Sequence, residues 1–187
     1  NAFFPVRSGL TFFDMSCRHV FAALQSYGLK LPLIFMDSFR TKADTLAALE
    51  KHPGIQVDDL PLDFLQNQEP KLRADDLTPV SWDKDPSLEW CPPGHGDIST
   101  ALFGSGLLDK LIDAGYRYAM TSNSDNLGAT PSPEIAGWFA SSGATSAAEL
   151  CTRTVNDRKG GHLANRKSDG QLILSDTAQT PPEPSAY

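Results

Sequence analysis

Two apolar runs of strand length flank one short segment of helical period. "LPLIFMDS" (31–38) and "DDLPLDFLQ" (58–66) lie either side of "TKADTLAALEKH" (41–52), whose pattern predicts a helix ended by Pro53 and Gly54. Strand, helix and strand in alternation argue for a mainly parallel sheet with helices on both faces. The alternation continues along the chain. "TFFDMSCRHVFAALQSYG" (11–28) predicts a helix opened by a capping box of Thr11 and Asp14 and stopped at Gly28. Phe13, Cys17, Val20, Phe21 and Leu24 form its apolar face. "DISTALFGSGLLDKLIDAG" (97–115) reads as helix, glycine break, helix, and "YRYAMTS" (116–122) as a strand running into the loop "NSDNLGATPSPE". "SPEIAGWFASSG" (132–143) predicts a helix with Pro133 in its first turn. "SAAELCTRT", "GGHLANRK" and "QLILSDTAQ" predict strands, the last two joined by a hairpin through Ser168, Asp169 and Gly170. The polar stretch from Asn67 to Trp90, with three prolines, reads as a long loop or small annex. The expected fold is α/β, a mainly parallel sheet flanked by helices, in one domain over residues 1–187 with a β-hairpin region near its end.

Such a sheet binds ligands beyond the carboxyl ends of its strands. Three chemically loaded stretches fall there: the residues after "DFLQ", the loop "CPPGHGDI", and the loop after "YAMTS". Composition narrows what they can meet. Sixteen Lys+Arg against 23 Asp+Glu give a net charge of −7, with no basic run, which argues against nucleic acid or an anionic membrane surface. No apolar run is long enough to span a bilayer. Cys17, Cys91 and Cys151 are scattered and odd in number, which argues against a disulfide frame or zinc site and fits a reducing cytoplasm.

Pro92 and Pro93 stiffen the entry to the second loop, while Gly94 and Gly96 leave backbone free of side chain on either side of His95. That suits close approach to a ligand, and equally a tight turn before a helix. In "TSNSDNLGAT", Asn123, Asp125 and Asn126 present a carboxylate and two amides. One carboxylate with few protein partners suits Mg²⁺, which keeps waters and substrate phosphates; an Asx turn bonding its own backbone is the other reading. Gln66 ends a strand, and its amide can accept and donate at once, as a uracil edge requires, or serve as an ordinary loop hydrogen bonder. Lys159 beside Gly160 and Gly161 reads as a cation near bare backbone or as a hairpin turn. His19 and His52 lack ligand-spaced partners and read as structural. No G-x-S-x-G, Cys/His or H-E-x-x-H pattern points to covalent or zinc catalysis.

Taken in order, "PVRSGLTFFD", "LPLIFMDSFRTKADTLAAL", "DFLQNQEPKL", "EWCPPGHGDI", "SGLLDKLIDAG", "TSNSDNLGA", "DRKGGHLA" and "LSDTAQT" resemble the UTP–glucose-1-phosphate uridylyltransferases, or UDP-glucose pyrophosphorylases, of the eukaryotic-type branch also found in actinobacteria. The resemblance runs from about Phe3 to Thr180. It implies a GT-A-like (Rossmann-like) nucleotidyltransferase using Mg²⁺ to form UDP-glucose and pyrophosphate from UTP and glucose 1-phosphate. It implies catalytic roles for His95 and Asp125, with Asp125 on the metal. Gln66, Gly94, His95, Gly96 and Asn123 would bind nucleotide, and Asn123, Lys159, Gly160, Gly161 and Asp176 would border the sugar. Asp37 and Ser99 depart from the asparagine and tyrosine usual in the family. The family's glycine-rich phosphate loop and C-terminal domain are not among these residues, and Asn1–Ala2 read as a tag remnant. The expectation is therefore an incomplete, central piece of a catalytic domain, inactive by itself. Two rivals stand beside it: a GT-A-type glycosyltransferase using a nucleotide-sugar, and a non-catalytic nucleotide-sugar-binding module.

Overall fold

The computed structural model describes residues 2–152, 154–156 and 160–175. They fall into two compact units, one ending at Ser141 and one beginning at Ser142.

The first unit opens with an antiparallel pair, β1 (Pro5–Arg7) and β2 (Leu10–Thr11), turned through Ser8 and Gly9 at positive φ. Helix α1 (Phe12–Tyr27) follows at once because Thr11 caps it. The Thr11 hydroxyl accepts from the Asp14 amide at 3.1 Å, and the Asp14 carboxylate accepts from the Thr11 amide at 2.8 Å. These bonds satisfy donors that a helix start leaves unpaired. Gly28 ends the helix at φ 67°, its N–H reaching the Leu24 carbonyl at 2.8 Å. The buried face is Phe13, Cys17, Val20 and Ala23, with Phe21 packed against the same core, so the expected face is corrected at Leu24. Phe21 is half-buried, and Leu24 turns outward because the core contacts run along the Phe13–Ala23 stripe.

The parallel pair is present as β3 (Phe35–Asp37) and β4 (Asp63–Leu65), joined through α2 (Lys42–Leu49). Its register sets Phe35 opposite Asp63, Met36 opposite Phe64 and Asp37 opposite Leu65. Strand alternation divides the apolar side chains between two cores. Leu33, Phe35 and Leu62 pack with Phe13, Cys17, Val20, Leu49 and Ile55 of the α1–α2 side. Ile34, Met36 and Phe64 pack on the other face with Ala101 and Leu102 of α3 (Ile98–Gly104) and Leu107 and Leu111 of α4 (Leu107–Asp113). Both faces of this pair are therefore covered by helices, as the alternation predicts.

The sheet does not extend beyond it. The described strands form four separate two-stranded ladders rather than one mainly parallel sheet, which corrects the expected architecture. Residues 116–122, the expected strand "YRYAMTS", are irregular and largely exposed. β-geometry needs a neighbour for its backbone groups, and none of the described strands pairs with this segment.

The stretch expected to be a loop or annex carries a closure of its own. Strand β5 (Glu69–Pro70) pairs antiparallel with β6 (Trp90–Cys91), matching Glu69 to Cys91 and Pro70 to Trp90. Between them lie a bridge from Leu72 to Pro79 and a 3₁₀ turn at Pro86–Glu89. The Arg40 guanidinium donates to the Ser87 carbonyl at 2.9 Å, tying this excursion to the start of α2. Helix α5 (Pro133–Ser142) begins at Pro133 as expected.

In the second unit, β7 (His162–Asn165) and β8 (Leu172–Ser175) form the expected antiparallel hairpin, with Gly170 at φ 70° in its turn. The described residues of "SAAELCTRT" form no strand; they are exposed, and neither β7 nor β8 pairs with them.

Candidate functional site

Two of the sequence candidates meet at the carboxyl end of the β3–β4 pair. Gln66 directly follows β4, and its amide N–H continues the ladder to the Asp37 carbonyl at 2.8 Å. Gly94 lies 28 residues further on, yet its N–H donates to the Gln66 Oε1 at 3.2 Å. The β5–β6 stem explains how: it zips the chain leaving Gln66 to the chain entering Pro92, so the loop between them returns to its starting point. Gly94 takes φ 97°, ψ −164°, a conformation essentially restricted to glycine. Gly96 has no positive φ, so only one of the loop's two glycines is required by backbone shape.

After Gly94 the chain makes a 3₁₀ turn over His95–Asp97, in which the Asp97 N–H donates to the Gly94 carbonyl at 3.1 Å. Asp97 precedes α3, where an aspartate commonly caps a helix, but its side chain makes no cap bond. Instead Oδ2 accepts from the Asn67 backbone N–H at 2.6 Å, and Oδ1 accepts from the Asn67 side-chain amide at 2.7 Å and from the Thr100 hydroxyl. The Thr100 bond first, then those from Asn67, hold the Asp97 carboxyl below the usual carboxylate range. Sequence reading missed Asp97 and Asn67. The available signal was an aspartate ending "PPGHGD" just before a helix, which reads as a cap from sequence alone.

Gln66 is half-buried, and its Nε2 has no partner among the described residues. His95 and Gly96 are exposed. The His95 side chain makes no hydrogen bond among the described residues and is available to a ligand.

The loop after residue 122 divides its two readings between different residues. Asn126 behaves as an Asx turn: its Oδ1 accepts from the Gly128 N–H at 3.3 Å, and its own N–H donates to the Asn123 carbonyl at 3.0 Å. Asn123 and Asp125 are exposed, and the Asp125 carboxylate has no hydrogen bond or ion pair among the described residues. The loop meets α1 at the Ser16 hydroxyl, whose one hydrogen is shared between the Phe12 carbonyl at 3.1 Å and the Ser124 carbonyl at 3.4 Å. No hydrogen bond links it to Gln66 or Gly94. A lone unpaired carboxylate fits Mg²⁺, which binds through one or two carboxylates and completes its shell with water and phosphate oxygens. Among the described residues no group of three or more His, Cys, Asp or Glu side chains forms a site that could hold a metal by protein ligands alone.

Gly160 and Gly161 lie in the second unit, where Gly161 packs closely against Leu174 and the Ser175 carbonyl; a Cβ there would stand 3.1 Å from both. Lys159 and Asp176 lie outside the described residues. His52, expected to be structural, bonds the Asp14 Oδ1 through Nε2 at 2.9 Å. The three cysteines are free. No helix of the described residues is long and apolar enough to cross a membrane.

Comparison with known proteins agrees with this architecture. The profile of the UTP--glucose-1-phosphate uridylyltransferase family matches residues 1–186. The UTP--glucose-1-phosphate uridylyltransferase of Saccharomyces cerevisiae is 38% identical over 179 residues, 95% of this chain and 35% of that protein. The crystal structure of a UDP-glucose phosphorylase from Trypanosoma brucei superposes with a TM-score of 0.87 at 38% identity, covering 97% of this chain and 40% of that one. A UDP-glucose pyrophosphorylase mutant from Leishmania major, solved in complex with UDP-glucose, gives a TM-score of 0.83 at 39% identity over 97% of this chain and 40% of that one. The chain thus spans well under half the length of the relatives it matches. With nearly every residue inside the matched region, the chain belongs to the UTP–glucose-1-phosphate uridylyltransferase family.

Proposed function

We propose that these residues are part of a GT-A-like catalytic domain that forms UDP-glucose and pyrophosphate from UTP and glucose 1-phosphate. The observation that carries the reading is the Gln66–Gly94 hydrogen bond at the carboxyl end of the parallel pair, where open α/β sheets bind ligands. It lies in a chain 38% identical to a yeast enzyme of that name. Gln66 reads the uracil edge, and the Gly94–Gly96 backbone lies against the nucleotide. Asn123 serves nucleotide and sugar, with Lys159, Gly160, Gly161 and Asp176 toward the hexose.

A phosphate oxygen of glucose 1-phosphate attacks the α-phosphorus of UTP in line. The bond from that phosphorus to the bridging oxygen breaks, and pyrophosphate leaves with the electron pair. No proton need be removed from the attacking oxygen near neutral pH, so His95 serves as a donor toward phosphate rather than as a base. Positioning and charge neutralisation carry such a transfer, which agrees with a site of amides, bare backbone and one carboxylate. Mg²⁺, when bound, neutralises phosphate charge, and Asp125 is the residue that would hold it.

The test is pyrophosphate release from UTP and glucose 1-phosphate, without any other acceptor, by a longer polypeptide carrying this chain and by its Asp125→Asn variant. Turnover by the parent, lost on the order of 10²-fold or more in a variant that melts normally, is expected. Nucleotide-sugar consumption only with an added acceptor would favour a glycosyltransferase. Nucleotide-sugar binding without turnover would favour a binding module. Residues 1–187 alone should bind UDP-glucose weakly and release no pyrophosphate.

A further inference from the structure

The bonds around Gln66 close into a ring. Gln66 Oε1 accepts from the Gly94 N–H, and the Gly94 carbonyl accepts from the Asp97 N–H. The Asp97 carboxylate accepts from both nitrogens of Asn67, which is covalently joined to Gln66. Asp97 is 9% exposed, so the carboxylate sits inside this ring rather than on the surface.

The ring has a chemical consequence. A glutamine amide can flip, exchanging oxygen and NH₂, and the two orientations read opposite hydrogen-bond patterns. The Gly94 N–H is a donor and can face only the oxygen. With Oε1 held there, Nε2 is the end left free to donate. A free donor at that position donates to the C4 carbonyl of uracil and opposes the exocyclic amino group that cytosine carries at the same place. Base choice then depends on where the Gly94 N–H points, and that is set through Asp97.

We propose that Asp97 is a positioning residue for base selection: by tying Asn67 to the Gly94 turn it locks the Gln66 amide with its NH₂ toward the ligand. The proposal rests on the uridine-nucleotide reading of this site. It assigns Asp97 no contact with ligand.

The test uses the 187-residue chain, with Asp97→Asn and Asn67→Ala variants and UDP and CDP as probes. The first measurement is hydrogen exchange at the Gly94 amide without ligand. Exchange faster by about tenfold in both variants is expected, with the Gly28 amide at the end of α1 unchanged. The second is the ratio of the Kd values for CDP and UDP, which should fall about tenfold toward unity in both variants. A residue that merely holds the fold together would weaken both nucleotides alike and leave their ratio intact. That result, or an unchanged Gly94 amide in a folded variant, overturns the proposal. Should Asp97→Asn fail to fold, Asn67→Ala decides, because it removes one ring bond and leaves the buried carboxylate and the Asn67 backbone bond in place. Should wild type bind UDP and CDP equally, the uridine reading fails and base selection with it. Gly94 exchange would then still report whether Asp97 locks the amide.

Discussion

Alanine in place of Gly94 or Gly96 adds the same methyl group two residues apart in the same loop, and the structure predicts very different outcomes. A Cβ at either position meets nothing within 4 Å, so neither substitution is resisted by sterics with neighbours. What differs is the backbone. Gly94 sits at φ 97°, ψ −164°, where a side-chain-bearing residue incurs roughly 1–3 kcal/mol of strain. Gly96 lies in the 3₁₀ turn without a positive φ, and alanine there stays within about 0.5 kcal/mol or slightly stabilises. The strain at Gly94 is relieved by rotating the peptide that carries its N–H, which gives up the bond to Gln66 Oε1. One to three kcal/mol corresponds to about 5- to 150-fold in the population of the closed turn. Gly94→Ala should therefore weaken UDP binding by a factor in that range and speed exchange of its own amide, with little change in the global unfolding midpoint. Gly96→Ala should do neither. Equal effects of the two substitutions on UDP binding would refute the argument from backbone conformation.

Two further outcomes concern the helix that backs the parallel pair. Thr11→Ala removes the hydroxyl half of the capping box and should cost about 1 kcal/mol in denaturant unfolding. The Asp14 carboxyl is held below its ordinary range, first by the Thr11 amide and also by the Thr11 hydroxyl and His52. A depressed folded-state pKa means the unfolded chain binds the proton more tightly. The stabilisation is therefore complete above the unfolded carboxylate value of about 4 and is lost as pH falls through the lower folded value. Asp14→Asn should flatten the acid limb of the stability profile below about pH 4 while lowering stability near neutrality; an unchanged acid limb would count against the assignment.

The legible parts of this fold were those whose determinants are local. Thr11 with Asp14, Gly28 past the last turn, Pro133 at a helix start and Ser168–Gly170 between two strands each act within a few residues, and each feature is found. Whether "YRYAMTS" forms a strand depends on a neighbour that its own residues do not encode, and alternation alone overstated it. The site divides in the same way. Gln66 and the "PPGHG" loop stand out by residue type, but their meeting depends on the β5–β6 stem, four residues in a stretch of low periodicity. Asp97 was hidden for a different reason. An aspartate before a helix has a strong local explanation, and only the distant Asn67 shows that its carboxylate is used otherwise.

On the proposed reading, base selection and phosphoryl transfer rest on physically different parts of the chain. Gln66 and the ring around it hang from a parallel pair packed on both faces, and their selectivity comes from the orientation of hydrogen-bond donors. Such bonds discriminate by leaving a wrong partner unpaired, which needs rigidity more than charge. Asp125 sits on an exposed loop joined to α1 by one long hydrogen bond, in a chain whose net charge is −7. A carboxylate open to water acts through a screened field, and stabilising a transferring phosphoryl group calls for preorganised positive charge in a site that excludes water. A selective element of this kind can distinguish bases without itself turning substrate over. On that reading base selectivity can be measured apart from turnover, and a loss of turnover on changing Asp125 does not predict a loss of base selectivity.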